Sequence, residues 1–338
     1  VRNRLVLLTL TGLSSLFSCE PYESGYYITV TGPAQGTSYQ VTYESRDSAN
    51  FQVAVDSLLH RFDMSLSAYQ PLSIISQINN NVPEVKPDSF FISVFNAAGV
   101  IWKESDGAFD ITVAPVVNAW GFGFTEAAKV DSTMIDSLLQ YVGMEMVRLE
   151  DGYIIKEKRE IMFDVNAIAQ GYAVDVLASF LEEKGIKNYL VEIGGEVKTM
   201  GRNSRGQFWR VGIDKPIEGL QLPGVQIEAI ISLSGKALAT SGNYRRFYEK
   251  DGIKYSHTID PFTGYPVQHN LLSATVLADD GMTADGFATA FMVMGVEKSI
   301  NLLKRRPDLD ACLIYNDDSG AYKVYYTRGM KKLLVNSQ

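Results

Sequence analysis

The 338-residue chain is poor in the residues that staple or metallate small proteins, with two cysteines and three histidines. His60, His257 and His269 lack the close spacing of a zinc site. Cys312 sits in the apolar run Ala311-Cys312-Leu313-Ile314-Tyr315 and reads as a buried strand residue. Cationic side chains are in deficit, 31 Lys and Arg against 39 Asp and Glu for a net charge of −8, and no basic cluster interleaves with aromatics. That excludes nucleic acid as an expected partner. No G-x-G-x-x-G opens a helix after the first strand, so Rossmann-type dinucleotide binding is not supported. No Pro/Ser-rich linker, low-complexity run or internal repeat divides the chain, and one elaborate domain is expected despite a length that would allow two. What is present is an ordinary globular composition, 46% hydrophobic and 21% charged, enough for a substantial core.

The first residues, Val1-Arg2-Asn3-Arg4, precede an apolar stretch from Leu5 to Phe17 that is too short to remain as a membrane span. A basic start, a short apolar region and a small residue before the cut read as a signal peptide over residues 1–18, with the working domain over 19–338. Leu16-Phe17-Ser18-Cys19 resembles the lipobox of bacterial lipoproteins. It implies lipid on Cys19 and an exported protein anchored to a membrane, facing the periplasm or extracytoplasmic side. With Cys19 lipidated, no intrachain disulfide can form.

Residues 20–45 alternate Tyr, Thr and Val as strands do. Helices are expected over Ala49–Asp63, Phe90–Glu104, Ala167–Lys184, with Gly185 as its stop, and Thr283–Met294. Strands are expected at Tyr189–Ile193, Trp209–Ile213, Val225–Leu233 and Leu272–Leu277, with Ala311–Tyr315 and Lys323–Tyr326 as a closing hairpin. Without strict βαβ alternation, the mixture favours an α+β fold over a doubly wound parallel sheet.

Four segments carry candidate chemistry. In the first, Ser105-Asp106-Gly107-Ala108-Phe109-Asp110-Ile111-Thr112 precedes Trp120-Gly121-Phe122-Gly123. Alone, Asp-Gly before a strand is a hairpin signal, but small residues also admit a ligand to backbone amides and the aromatics offer walls for a ring. The second, Phe163-Asp164-Val165-Asn166-Ala167-Ile168-Ala169-Gln170-Gly171-Tyr172, opens a helix whose free N–H groups suit a phosphate, although an acidic residue there serves equally as a cap. The diglycine in Glu192-Ile193-Gly194-Gly195-Glu196 reads as a turn or a weak phosphate cradle. The third joins Ala239-Thr240-Ser241-Gly242-Asn243-Tyr244 to Tyr255-Ser256-His257-Thr258-Ile259-Asp260-Pro261-Phe262-Thr263-Gly264-Tyr265-Pro266, where Asp-Pro-x-Thr-Gly is a turn by composition and a lone His is often structural, but hydroxyls and an imidazole together also offer phosphoryl donors and a candidate proton carrier. In the fourth, Thr283-Ala284-Asp285-Gly286-Phe287-Ala288-Thr289, Asp285 and Thr289 share a helix face and offer hard oxygens that suit Mg²⁺ better than zinc. An Asp at a helix start also serves as a plain dipole partner. An acidic protein that handles a polyphosphate needs a cation to let the ligand dock.

In this order, with Gly36-Thr37-x-Tyr39 and Ser67-x-Tyr69 followed by Ser73 and Asn79, the segments resemble the ApbE-type flavin transferases, the FAD:protein FMN transferases. The resemblance implies that family's α+β fold, related to tunnelling-fold topology. It also implies an enzyme that moves FMN from FAD to a Ser or Thr hydroxyl of an acceptor flavoprotein and releases AMP. It places Gln35, Tyr69, Ala108, Phe109, Asp110, Asp164, Gln170 and Ile259 around FAD, Mg²⁺ on the Ala167 carbonyl, Asp285 and Thr289, and proton transfer on His257 or Asp285. Acceptors would be subunits of electron-transport complexes of the Rnf type or the sodium-pumping quinone reductases. The chain departs from the family at Gln35, where Met is common, at Ile74, where Glu follows Ser73, at Gln170, where a basic residue stands, and at Phe262, where Arg or Lys stands. Gln35 alters a wall of the flavin site, and Gln170 removes a charge that would face the pyrophosphate, which should make Mg²⁺ matter more. Two other activities fit the same pocket, a Mg²⁺-dependent FAD pyrophosphatase and a flavin-binding lipoprotein without chemistry.

Overall fold

A computed structural model describes residues 25–123, 130–217, 224–243 and 258–335, together with the backbone of two short strands between 247 and 256. Cys19 and His257 lie outside the described residues. The chain begins with a hairpin of β1 (Tyr26–Ala34) and β2 (Thr37–Ser45), followed by α1 (Gln52–Leu66), α2 (Ile74–Asn79), α3 (Ser89–Glu104), α4 (Ala114–Ala119) and α5 (Ser132–Leu139). A small hairpin, β3 (Val147–Glu150) and β4 (Tyr153–Lys156), precedes the long helix α6 (Asn166–Glu183). Next come β5 (Tyr189–Ile193), β6 (Glu196–Met200), β7 (Trp209–Asp214), β8 (Ile227–Leu233), β9 (Ala237–Gly242), β10 (Phe247–Lys250), β11 (Ile253–Ser256) and β12 (Leu271–Ala278). The helix α7 (Gly281–Arg305), the strands β13 (Asp310–Asn316) and β14 (Tyr322–Tyr326) and the short α8 (Arg328–Leu333) complete it.

Eight strands form one antiparallel sheet in the order β1-β2-β5-β6-β9-β12-β13-β14. Its two halves differ in how they are covered, and the sequence patterns follow. In β2 and β5 only alternate residues are buried, Tyr39, Val41 and Tyr43 opposite Ile193, Val191 and Tyr189, because helices cover one face. In the second half both faces are covered. Ala274, Val276 and Leu313 join the main core under the helices, while Leu277, Cys312 and Ile314 pack against the β7–β8 hairpin and Met330 of α8. β12 is therefore buried almost continuously, each large apolar side chain stabilising the fold by about 1.5–3 kcal/mol. This is an α+β fold, as expected, and Cys312 is the buried strand residue that its apolar context predicts.

Helices α6 and α7 touch by their backbones. A Cβ on Gly171 would lie 2.1 Å from the Gly281 carbonyl oxygen, and one on Gly281 would lie 2.3 Å from that of Gly171, so both positions require glycine. Further along, α7 breaks at Gly295, whose φ of 74° and ψ of 179° are not helical. The Met292 carbonyl freed there accepts from His269 Nε2 at 2.6 Å, while His269 Nδ1 accepts the Leu271 N–H at 3.3 Å.

Several expectations are corrected. The helix expected to stop at Met294 runs on to Arg305 after the break, α1 starts at Gln52 rather than Ala49, and β8 starts at Ile227 rather than Val225. Asp106-Gly107 builds no hairpin. It ends α3, with φ of 54° and 86° and the Gly107 N–H returning to the Trp102 carbonyl at 2.8 Å, a left-handed helix stop.

Candidate active site

Hydrogen bonds link the described residues of the four segments and the Ser67–Asn79 stretch to one another. Asn79 clamps the chain ahead of α6, donating to the Phe163 carbonyl at 2.9 Å and accepting the Phe163 N–H at 2.7 Å. One residue on, the Asp164 N–H donates to the Ile111 carbonyl at 2.7 Å, which ties the first segment to the second. Trp120 Nε1 donates to the Gly264 carbonyl at 2.8 Å, and the exposed Phe262 ring covers Gly107, so the 258–266 loop is laid across the first segment. Ser241 on β9 and Thr289 on α7 share a hydroxyl hydrogen bond of 3.1 Å. A cleft of about 460 Å³ opens where Trp102, Asp106, Asp110, Glu145 and Phe262 converge.

The residues expected around FAD fall into distinct environments. Asp110 lines the cleft, yet its oxygens are taken by the Thr112 N–H at 2.7 Å, the Thr112 hydroxyl at 2.6 Å and the Met144 N–H at 3.1 Å. Burial pushes its carboxyl up to about 6 against the pull of those donors. The Phe109 ring is buried in the main core, so only its backbone can face a ligand, and Ala108 is buried beside it. Asp164 is buried, with its carboxyl raised by that burial, and its Oδ1 accepts the Asn166 N–H at 2.8 Å, a turn that holds the entry to α6. Ile259 packs with Trp120 and Ile135. Tyr69 stands exposed in the turn between α1 and α2.

Gln35 and Gln170 flank the ends of two hairpins. A Cβ on Gly194, in the β5–β6 turn, would lie 2.7 Å from Gln170 Nε2 and 2.9 Å from Thr37 Cγ2, which fixes these side chains around it. In the β1–β2 turn, Gln35 and Gly36 have φ of 51° and 76°, the two left-handed residues of a type I′ hairpin. Gln35 is an uncommon occupant of that first position, and both polar atoms of its amide are buried without a hydrogen-bond partner. An unsatisfied buried polar group costs about 1–3 kcal/mol.

Of the expected cation ligands, Asp285 and Thr289 stand one turn apart on α7, and Asp285 reaches across to α6. Asp285 Oδ2 accepts the Gly171 N–H at 2.9 Å, and the register partner of that N–H within α6 is the Ala167 carbonyl. Thr289 lies one turn further along α7. Asp285 is buried, and its carboxyl is raised by that burial and secondarily by the negative charge of Asp175, with the Gly171 N–H opposing. Among the described residues no group of three or more His, Cys, Asp or Glu side chains is placed to hold a metal ion. Sequence reasoning missed Asp175. From α6 it accepts the Gly281 N–H at 2.8 Å and the Met282 N–H at 2.9 Å, capping α7, with Lys198 Nζ 3.8 Å away. The only sequence signal was the matching spacing of Gly171 to Asp175 and Gly281 to Asp285.

The sequence profile of the ApbE family matches residues 35–313. The chain belongs to the ApbE family. It is 36% identical to an FAD:protein FMN transferase of Vibrio cholerae serotype O1, over 97% of this chain and 98% of that one. It is 32% identical to the FAD:protein FMN transferase of Escherichia coli K12, over 91% and 89%. Among solved structures, the ApbE flavin transferase of Vibrio cholerae superposes with a TM-score of 0.83 at 33% identity, covering 92% of this chain and all of that one. The apo form of the Pseudomonas stutzeri ApbE flavinyl transferase gives 0.82 at 32% identity, covering 94% and 99%. ApbE membership thus spans the hairpin turn at Gln35, the α6–α7 crossing and β13.

Proposed function

We propose that this ApbE protein transfers FMN from FAD to a Ser or Thr hydroxyl of an acceptor protein, with Mg²⁺ held by the Ala167 carbonyl, Asp285 and Thr289. The observation that carries the reading is the α6–α7 crossing. A buried carboxylate with a single hydrogen bond from the described residues sits at the N–H paired in register with the Ala167 carbonyl, one helical turn from a hydroxyl. A buried anion with so few partners calls for a positive one, and a carboxylate, a carbonyl and a hydroxyl are a hard donor set. The residues present therefore fit Mg²⁺.

When bound, Mg²⁺ supplies charge neutralisation at the pyrophosphate and at the departing AMP. The acceptor hydroxyl oxygen forms a bond to the flavin-side phosphorus, the bond from that phosphorus to the AMP oxygen breaks, and the hydroxyl proton passes to a base. We assign the proton to His257, because Asp285 is committed to the cation and must stay ionised. Of the first-turn N–H groups of α6, those of Asn166, Ile168 and Ala169 are already taken by the Asp164 carboxylate and the Val165 carbonyl, and Gln170 brings no charge, so the cation carries more of the neutralisation. Phe262, exposed over Gly107, forms part of the cleft wall.

The acceptors we assign are flavoprotein subunits of electron-transport complexes, of the Rnf type or the sodium-pumping quinone reductases. The protein would meet them at a membrane surface through lipid on Cys19. Among the described residues no helix is long and apolar enough to cross a membrane. Incubation with FAD, Mg²⁺ and a candidate acceptor, followed by intact-mass measurement, tests the proposal. The expected result is an acceptor heavier by one FMN residue with matching AMP. AMP with no adduct on any acceptor identifies a pyrophosphatase, and FAD bound without AMP identifies a binding protein.

A further inference from the structure

The registers of β1, β2, β5 and β6 put the turns at Gln35 and Gly194 at one end of these strands and Gly25, Ser45, Asn188 and Gly201 at the other. Hydrogen bonds knit that far end together. The Gly25 N–H donates to Glu44 Oε1 at 2.9 Å, Asn188 Nδ2 donates to Glu44 Oε2 at 2.6 Å, and Asn188 Oδ1 accepts the Arg202 N–H at 2.7 Å. The loop beyond is built on Asn203, whose Oδ1 accepts the N–H groups of Arg205 and Gln207 at 2.9 and 3.2 Å. It holds the Arg202 guanidinium 4.6 Å from the centre of the Phe208 ring, with Nη1 donating to the Gly206 carbonyl at 2.8 Å. Phe208 is 46% exposed, and Tyr26, next to Gly25, is 66% exposed. Arg46, Lys187 and Arg205 are exposed at the same end, in a chain whose net charge is −8. Of the acids there, Glu44, Asp47 and Glu182 are turned onto donors of the fold itself, and Glu183 is balanced by its neighbour Lys184.

Exposed aromatics and cations are ordinary when they stand singly. Here the reach of the chain gives them an occupant. Gly25 follows Cys19 by six positions, which is at most about 20 Å of fully extended chain. A lipid on Cys19 therefore keeps this end of the sheet beside the bilayer, whatever course the intervening residues take. We infer that this end is a docking face for anionic phospholipid headgroups, with Arg46, Lys187, Arg202 and Arg205 meeting the phosphates and Tyr26 and Phe208 entering the interface. The inference rests on the Cys19 lipid of the proposed function and goes beyond it, because it assigns a second contact, made by the protein itself, that fixes orientation. Long cationic side chains lay their stems on apolar surface and their heads on phosphate, and aromatic rings favour headgroup depth. With this face on the bilayer, the nine residues of β1 lift the turn at Gln35 by up to about 30 Å, the height at which an acceptor has to offer its hydroxyl.

The test puts an environment-sensitive fluorophore on the mature lipidated protein, either at Ser204→Cys in the Asn203 loop or at Ser38→Cys beside the β1–β2 turn, Cys312 being buried. Intact mass first establishes the acyl groups. The protein is then inserted by its lipid into vesicles of phosphatidylcholine, alone or mixed with phosphatidylglycerol. The Ser204 label should shift to the blue on the anionic vesicles, clearly less on neutral ones, and lose the difference in high salt. The Ser38 label should keep its aqueous emission on both. Lys187→Glu with Arg205→Glu should abolish the anionic shift, and the milder pair Lys187→Gln with Arg205→Gln should lose part of it, both with wild-type melting temperatures because these side chains are exposed. Equal emission from the Ser204 label on neutral and anionic vesicles, a shift unmoved by either pair, or a blue shift at Ser38 overturns the inference. A mass without acyl groups instead overturns the lipid on Cys19, and the reach argument with it.

Discussion

Asp175 and Asp285 occupy matching places on two helices and end in opposite states. Each lies four residues after a glycine at the α6–α7 contact, and each accepts the N–H of the glycine across from it, Gly281 for Asp175 and Gly171 for Asp285. Asp175 then gains a second N–H from Met282 and a lysine at 3.8 Å, so both of its oxygens are occupied. Its carboxyl is raised to about 6 by burial, a shift these partners oppose. Asp285 gains nothing more from the described residues. The same crossing geometry thus makes one carboxylate a helix cap and leaves the other with an oxygen to spare. Spare capacity on a buried anion, more than burial itself, makes Asp285 the candidate site residue of the pair.

The comparison can be broken at its hinge. Gly171→Ala would drive a methyl group into a backbone carbonyl that cannot retreat, so chemical denaturation should show a loss of about 3 kcal/mol or more, with both hydrogen bonds lost together. Asp285→Ala should leave the fold intact and lower AMP release roughly a hundredfold, about 2.7 kcal/mol, with partial rescue by added Mg²⁺. Normal turnover with normal Mg²⁺ dependence in that variant would remove the metal site from the mechanism. Asp175→Asn should do the reverse, destabilising the protein by about 2 kcal/mol in denaturation while AMP release falls less than in Asp285→Ala. Thr289→Ala should be milder than Asp285→Ala, about tenfold in AMP release, because a neutral hydroxyl holds a dication less firmly than a carboxylate does.

The smallest effect is a pH dependence of stability without Mg²⁺. Burial raises the Asp285 carboxyl in the folded state, so the fold binds that proton more tightly than the unfolded chain does. Its contribution is fully present below the ordinary carboxylate range and is lost as pH rises through the raised folded value. Asp285→Asn lacks this loss. Melting curves without metal should therefore nearly coincide at pH 4 and separate by about 1 kcal/mol at pH 8 with the Asn form more stable, and Mg²⁺ should close the gap by stabilising the wild type alone.

Much of this was legible in the sequence where side-chain pattern and burial agree. β5 was read with its observed ends because alternation along Tyr189–Ile193 matches a strand covered on one face. That Asp285 and Thr289 share one face of α7 was legible because helical spacing fixes it. The Asp-Gly signal misled at Asp106-Gly107, where the preceding helix used it as a stop. At Asp151-Gly152, between Val147-x-Leu149 and Tyr153-x-Ile155, the same signal went unread and does build the β3–β4 hairpin, with φ of 51° and 79°. α4 and α5 are six and eight residues long, too short for a helical period to register. Asp175 was illegible because its role depends on a contact between residues 106 positions apart.

The break at Gly295 insulates one part of α7 from the other. Twist passes along a helix only through an unbroken ladder, and here the ladder stops with the Met292 carbonyl turned over to an imidazole from another part of the chain. One extra residue between Asp285 and Thr289 would rotate the hydroxyl about 100° away from the carboxylate. The same insertion between Glu297 and Arg305 would turn only the segment beyond the joint. Indels in the distal arm of the chain's longest helix are thereby decoupled from the spacing on which the crossing with α6 depends.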